Sequence, residues 1–217
     1  ENQFPDEALL PGFTTTVAAY QTAIEALARA LLPVYALALE ETPYFFTGKF
    51  DRPCWALRLN HYPPTDGKEI GIPPHADGDF CTLLLQDDQP GLSILRSTDG
   101  QWVQAPTRGK FSMLVNSGNH IARLSNGRFP STMHSASCLA CGPDARARQS
   151  VAFFWSPSVD VVVEPLPAFV SKDCPARYDG KRSGTIYSSG RVGRPAETDP
   201  ERHDDRADTF QHPSAKE

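Results

Sequence analysis

Residues 148–157 read RQSVAFFWSP, a run of β-branched and aromatic residues closed by a proline, and the reading of this run decides the fold. Such a composition favours a pleated, half-buried surface over a helix. Alternation along a strand puts Arg148, Ser150, Ala152 and Phe154 on one face, so a guanidinium and a hydroxyl stand side by side above an apolar wall. That face suits the anchoring of a carboxylate, because an Arg fork bonds both carboxylate oxygens. Standing alone, the motif equally describes a solvated Arg on an edge strand.

Working outward, the same character recurs in WALRLNHY (55–62), FCTLLLQ (80–86), GLSILRS (91–97), FSMLVNS (111–117), STMHSAS (131–137) and VDVVVEP (159–165). Gly, Pro, Asn and Asp separate these runs, which predicts an all-β sandwich or barrel. The 20 prolines in 217 residues point the same way, since helix interiors exclude proline. His120 to Leu124 reads as a short helix stopped by Ser125-Asn126-Gly127. Ahead of the β region, Val17, Tyr20, Ile24, Leu27, Leu31, Val34 and Leu37 recur at steps of three and four, the pattern of an amphipathic helix over Thr14 to Glu41. Thr14 to Thr16 offer its cap and Pro33 predicts a kink. After Ser171 the hydrophobic content collapses into a mixed-charge, Gly- and Ser-rich stretch that reads as a mobile tail. The expected organisation is a helical segment over 1–50, a β core over 51–170 and a mostly irregular tail over 171–217.

Composition bounds the function. Hydrophobic residues make up 40% and charged residues 22%, enough for one packed domain. A net charge of −5, with no basic block, argues against nucleic acid. The longest apolar stretch, Leu31 to Leu39, is too short to span a bilayer and predicts no membrane segment. The opening ENQFPDEALL has neither the basic nor the apolar region of a signal peptide, and a chain starting at Glu1 is expected to begin within a longer protein. Five cysteines at irregular spacing suit a reducing compartment and a cytoplasmic location. Cys138-x-x-Cys141, with no second pair, reads as two loop cysteines.

The chemistry centres on His75 in IPPHADGDF, with Asp77 two positions later. In an extended segment, residues two apart point to one side, so the imidazole and carboxylate can converge on an ion. A third ligand is to be sought among His120, His134, His203 and His212, and His134, in a run with strand character, is placed to face the first pair. Two imidazoles and one carboxylate on one face of an octahedron suit non-haem Fe(II). Zinc also accepts this ligand set.

These residues carry a family resemblance. The order Asn60-His61-Tyr62-Pro63-Pro64, His75-x-Asp77, Thr82-Leu83-Leu84, Pro90-Gly91-Leu92, Trp102-Val103, Ser125-Asn126-Gly127-Arg128, His134 and Arg148-x-Ser150 resembles the 2-oxoglutarate- and Fe(II)-dependent dioxygenases of the isopenicillin N synthase-like superfamily. The resemblance covers about Pro53 to Pro157, and Phe13 to Phe50 looks like the long helical segment preceding that core. It implies a mainly β protein with flanking helices: a double-stranded β-helix, or jelly roll, preceded by a long kinked helix. It implies an iron site of His75, Asp77 and His134, a cosubstrate site of Arg148, Ser150, Tyr62 and Asn60, and Fe(II), 2-oxoglutarate and dioxygen as reagents. A small organic molecule would be oxidised, most commonly by hydroxylation, with release of succinate and carbon dioxide. Phe80, Phe154 and Trp155 are candidates for the apolar wall of the substrate pocket.

The sequence departs from the family pattern at Asn119, where relatives carry Asp, and at Ser135, where they carry Arg. Relatives also have an amino-terminal segment that adds a strand and covers the cavity. Without a counterpart, the chain reads as truncated, and an uncovered sheet edge would favour self-association. Two other functions fit the residues: an Fe(II) oxidase of the same fold that does not use 2-oxoglutarate, and a catalytically silent barrel acting as a binding module.

Overall fold

The structure, a computed structural model, describes residues 4–64, 71–107, 112–138 and 146–186. It divides into two compact units, Glu1–Thr47 and Gly48–Glu217. In the first, one helix, α1 (Phe13–Ala38), runs through Pro33 as a single element. It starts from Gly12 in the left-handed region (φ 77), not from a threonine cap. The Thr16 hydroxyl instead donates back to the Gly12 carbonyl at 2.8 Å. Ile24, Ala28, Ala36 and, just past the helix, Leu39 are buried, whereas the predicted stripe residues Leu27, Val34 and Leu37 are 42%, 61% and 60% exposed. Rotation of roughly 100° per residue explains the correction: seen from Ile24, the buried Ala28, Leu39 and Ala36 lie to one side, at about 40°, 60° and 120°, and the exposed Leu27, Val34 and Leu37 lie to the other, at about 60°, 80° and 140°.

The second unit is built from β1 (Cys54–Tyr62), β2 (Ile72–His75), β3 (Cys81–Gln86), β4 (Leu92–Leu95), β5 (Trp102–Gln104), β6 (Leu114–Ser117), α2 (Asn119–Leu124), β7 (His134–Ala136), β8 (Arg148–Ser156), β9 (Val162–Val163) and β10 (Lys181–Arg182). Two four-stranded antiparallel sheets form, ordered β1-β8-β3-β6 and β2-β7-β4-β5. The chain passes repeatedly from one sheet to the other, which is the double-stranded β-helix expected from the sequence. Strands β2 and β5 are not among the predicted runs. Pro73 and Pro74 break the composition of β2, and β5 has only three residues, too few for a period to show.

Alternation along β8 separates two environments. Phe153 and Trp155 turn to the core, where Trp155 stacks on Phe50 at 4.2 Å between ring centroids and Phe50 meets Phe80 edge-on at 5.2 Å. The Phe80 backbone N–H donates to the Trp155 carbonyl at 3.0 Å, locking that aromatic corner.

Of the stretch after Ser171, residues 172–186 are described, and they carry more order than their composition suggests. Lys181 and Arg182 pair with Val163 and Val162, and Ser183 and Ile186 are buried. Residues 187–217, including His203 and His212, lie outside the described residues, as does Cys141. Ser183 tethers the segment through His120, whose Nε2 lies 2.9 Å from the Ser183 hydroxyl, which itself donates to the Pro157 carbonyl at 3.2 Å. His120 is therefore a neutral structural residue on α2 and takes no part in the metal cluster. Burial lowers its pKa from 6.5 to about 4. A proton bound at 6.5 in the unfolded chain and only near 4 in the folded one makes stability fall as pH drops through that window, by up to about 3 kcal/mol. Denaturant unfolding should show the stability advantage of the native protein over His120→Gln shrinking from pH 7 to pH 4.5; parallel curves would contradict the assignment.

Candidate active site

The antiparallel register of β1 and β8 sets Tyr62 opposite Arg148, Asn60 opposite Ser150 and Arg58 opposite Ala152. All six face inward because both strands alternate with a period of two. On the same face, Thr82 and Leu84 enter from β3 and Asn116 from β6. From the other sheet, His75, His134 and Ile94 form one cross-strand row. Together these side chains line a cleft of about 680 Å³, the open space at its mouth included.

At one end, ligand atoms of His75, Asp77 and His134 all lie within 4.8 Å of one another. Asp77 Oδ1 stands 3.7 Å from His75 Nε2 and 3.6 Å from His134 Nε2, too far for hydrogen bonds and open to an ion between them. Each ring's other nitrogen is committed: His75 Nδ1 lies 2.8 Å from the Pro73 carbonyl and His134 Nδ1 lies 2.9 Å from the Thr132 carbonyl. A carbonyl only accepts, so both rings carry their proton on Nδ1 and present an Nε2 lone pair to the ion. Burial, followed by the neighbouring His134, lowers the His75 pKa and favours the neutral ligand form.

The second oxygen of Asp77 is held independently. Thr82 Oγ1 lies 2.7 Å from Asp77 Oδ2, and Asn116 Nδ2 donates to the same oxygen at 2.8 Å. Thr82 Oγ1 also lies 2.9 Å from Asp79 Oδ2, yet one hydroxyl has only one proton to give. Burial first, and the Asp77 charge second, raise the Asp79 pKa well above the usual carboxylate range. Asp79 therefore keeps its proton and supplies the second bond, freeing the Thr82 hydroxyl for Asp77. The backbone is fixed as well: the Asn119 N–H donates to the Asp77 carbonyl at 2.9 Å and the Ser131 hydroxyl to the same carbonyl at 3.2 Å. A Cβ at Gly118 would stand 2.2 Å from the Asp79 carbonyl, so only glycine permits this approach. The two departures from the family pattern also find their places. Asn119 contributes through its main chain, and Ser135 donates to the Ile72 carbonyl at 2.8 Å, joining β7 to β2 where their register shifts.

The other end of the cleft is cationic. Arg148 is only 1% exposed, its Nη2 donates to Gln86 Oε1 at 3.1 Å, and its guanidinium carbon lies 5.1 Å from the Tyr62 ring centre. Its Nε and Nη1 have no hydrogen-bond partner among the described residues. Burial lowers the Arg148 pKa, opposed chiefly by Tyr62 and Asp87. A buried cation with unsatisfied donors calls for an anion with several acceptors, as a carboxylate has. Beside it, Ser150 Oγ accepts from Asn60 Nδ2 at 3.3 Å and keeps its own proton to donate. The chain can pass this close to Arg148 because of Gly91, where a Cβ would meet the Ser137 carbonyl at 2.0 Å and Arg148 Cδ at 2.8 Å.

Of the three candidates for the apolar wall, Phe154 lines the cleft, but Phe80 and Trp155 do not. Trp155 is one residue from Phe154 and so points to the opposite face, while Phe80 packs with it in the fully buried aromatic corner. Sequence reasoning did not single out Asn116, Asp79 or Arg58. Only the repeat of Asp77 and Asp79 at strand spacing, and the Arg58-x-Asn60-x-Tyr62 alternation, carried a signal for two of them.

Two facing sheets with a His-Asp-His cluster at one end of the cleft and a carboxylate-seeking arginine at the other make a jelly roll able to hold a metal ion and an acidic ligand together. The 2OG-Fe(II) oxygenase superfamily matches residues 53–157. The 2-oxoglutarate-Fe(II) type oxidoreductase ppzC of Metarhizium rileyi is 34% identical over 188 residues, which are 81% of this chain and 48% of that protein. Homoarginine-6-hydroxylase 2-ODD-C23.1 of Arabidopsis thaliana is 36% identical over 166 residues, 73% and 47% of the respective lengths. Among solved structures, a full-length Neurospora crassa protein in complex with alpha-KG matches with a TM-score of 0.78 and 26% identity, over 89% of this chain and 61% of that one. JOX2 in complex with 2OG, Fe and JA matches with a TM-score of 0.74 and 26% identity, over 88% and 54%. The chain belongs to the 2OG-Fe(II) oxygenase superfamily, and its His-Asp-His cluster and Arg148 form a donor set that fits Fe(II) and the diacid 2-oxoglutarate. It spans about half the length of the curated relatives it matches.

Removing the Thr82 hydroxyl frees one side of Asp77 while leaving all three ligands in place. Thr82→Val should weaken Fe(II) binding about 10- to 100-fold, read by anaerobic titration, with an unchanged fold by circular dichroism.

Proposed function

We propose that the protein is a non-haem Fe(II)- and 2-oxoglutarate-dependent dioxygenase that oxidises a small organic molecule, chiefly by hydroxylation, and releases succinate and carbon dioxide. The observation carrying this reading is that the His75, Asp77 and His134 donor atoms and the unsatisfied guanidinium of Arg148 open into one cleft. Fe(II) with 2-oxoglutarate and dioxygen supplies the oxidising power to break a substrate C–H bond, the oxo acid losing carbon dioxide as it does so.

The protein's own residues orient and enclose these reagents. His75 and His134 hold Nε2 lone pairs toward the metal because their Nδ1 protons are tied to backbone carbonyls. Asp77 offers one oxygen to the metal because Thr82 and Asn116 retain the other. Arg148 takes the distal carboxylate of 2-oxoglutarate and Ser150 donates to it, with Asn60 and Tyr62 holding those two in line. Leu84, Leu92, Leu114 and Ala152 give the same cleft an apolar lining.

A net charge of −5 supports a small-molecule partner over nucleic acid. Among the described cysteines, Cys54, Cys81, Cys138 and Cys174, no disulfide forms, which supports a reducing, cytoplasmic setting. No described helix is long and apolar enough to cross a membrane. Among the described residues β1 is paired on one side only, which supports self-association at that edge.

Succinate release from 2-oxoglutarate on exposure of Fe(II)-loaded protein to oxygen tests the proposal without the native substrate. Release should be lost in Asp77→Ala and fall sharply in Arg148→Ala. Oxygen uptake without succinate would support an oxidase that does not use 2-oxoglutarate, and stoichiometric iron binding with neither would support a silent barrel.

A further inference from the structure

The one protein group bonded to the Arg148 guanidinium through a side-chain acceptor is neutral. Gln86 follows Thr82 and Leu84 at alternate positions of β3 and stands opposite Ser150 in the register of β3 with β8. Its amide bridges two groups of opposite demand: Oε1 accepts from Arg148 Nη2 at 3.1 Å, and Nε2 donates to the Pro106 carbonyl at 3.3 Å. A guanidinium only donates and a carbonyl only accepts, so the bridge needs one acceptor and one donor. An amide has both, and a carboxylate has acceptors alone. Gln86 is not among the residues lining the cleft, so it acts on a ligand there through Arg148.

The carboxylate next in sequence is kept off the guanidinium. Asp87 Oδ2 accepts from the Gln149 backbone N–H at 2.6 Å and Oδ1 from the Gln89 backbone N–H at 3.0 Å. Of the three guanidinium nitrogens of Arg148, Nη2 meets the neutral amide, and Nε and Nη1 have no hydrogen-bond partner among the described residues. The plane of the guanidinium is therefore fixed without its charge being neutralised. A buried cation with no counter-ion attracts an anion far more strongly than one already paired.

We propose that Gln86 is a positioning residue that sets how tightly the site takes a diacid: it orients Arg148 through a neutral acceptor and leaves the guanidinium charge to the distal carboxylate of the oxo acid. This rests on the iron and 2-oxoglutarate reading above. A carboxylate at position 86 would do the opposite. It would face the Pro106 carbonyl acceptor to acceptor, turn to Arg148 and stand in for the ligand's own charge.

Two five-carbon oxo acids test the assignment on the anaerobic, Fe(II)-loaded whole chain. One is 2-oxoglutarate, and the other is 2-oxopentanoate, which carries a methyl group in place of the distal carboxylate. Each is titrated while the visible absorption of the ferrous oxo acid chelate is followed. The native protein should take 2-oxoglutarate about 100-fold or more tightly than 2-oxopentanoate. Gln86→Glu should weaken 2-oxoglutarate about 30-fold or more while moving 2-oxopentanoate by less than about threefold. Gln86→Met, of similar length and uncharged, should keep the preference within about tenfold of the native one. Because 2-oxopentanoate needs the fold and the metal but no cationic partner, general damage in a variant would weaken both acids together. A native preference that Gln86→Glu leaves intact, a loss as large in Gln86→Met, or equal weakening of both acids would overturn the role of Gln86 alone. No absorption band with either acid in the native protein would overturn the iron and 2-oxoglutarate reading along with it.

Discussion

Strand β8 is hydrogen-bonded along both edges, to β1 and to β3, and the rest of the site depends on that double pairing. Pinned on two sides, the strand cannot slip by one residue without turning Arg148 and Ser150 out of the cleft and bringing Phe153 and Trp155 into it. The aromatic corner of Phe50, Phe80 and Trp155 on the other face resists such a slip, because it would expose three large rings. Core packing on one side of the sheet thus holds the register of polar groups on the other.

A second layer of order is electrostatic. The three side chains able to hold a metal each have their other polar atom committed elsewhere: two imidazole protons to backbone carbonyls, and one carboxylate oxygen to Thr82 and Asn116. A neutral Asp79 beneath Thr82 completes the chain of donors. Its burial stabilises the protonated acid, which lets two carboxyl groups share one threonine without mutual repulsion. At the far end, burial of Arg148 with donors unsatisfied keeps a cation poised for an anion that the fold itself does not provide. The two ends are complementary to one ligand, a diacid chelating at one terminus and ion-paired at the other.

Much of this was legible in the sequence because it rests on short-range periodicity. Strand alternation put Arg148 and Ser150 on one face, and His75-x-Asp77 placed two ligands together. His134, whose donor atom the structure brings to the same cluster, was legible through strand character and family resemblance. Composition alone names Trp155 beside Phe154, although the alternation from Arg148 already turns it to the opposite face, as the pairing with β1 shows. The helical stripe of α1 drifted because steps of three accumulate a phase error over its 26 residues. Other features left no periodic trace at all. Asn116 reaches Asp77 across 39 positions of sequence, a contact only the pairing of β6 with β3 creates. The order of residues 171–186 comes from the His120 to Ser183 contact and a two-residue strand, neither of which leaves a periodic trace.

The claim that one cleft holds both a metal and a diacid is tested most directly by titrating 2-oxoglutarate into anaerobic, Fe(II)-loaded protein and following the visible charge-transfer absorption that appears when an oxo acid chelates ferrous iron. The structure predicts a band that saturates stoichiometrically in the native protein and needs far more 2-oxoglutarate in Arg148→Gln. Iron binding with no such band, or a band whose midpoint is the same in Arg148→Gln, would contradict it.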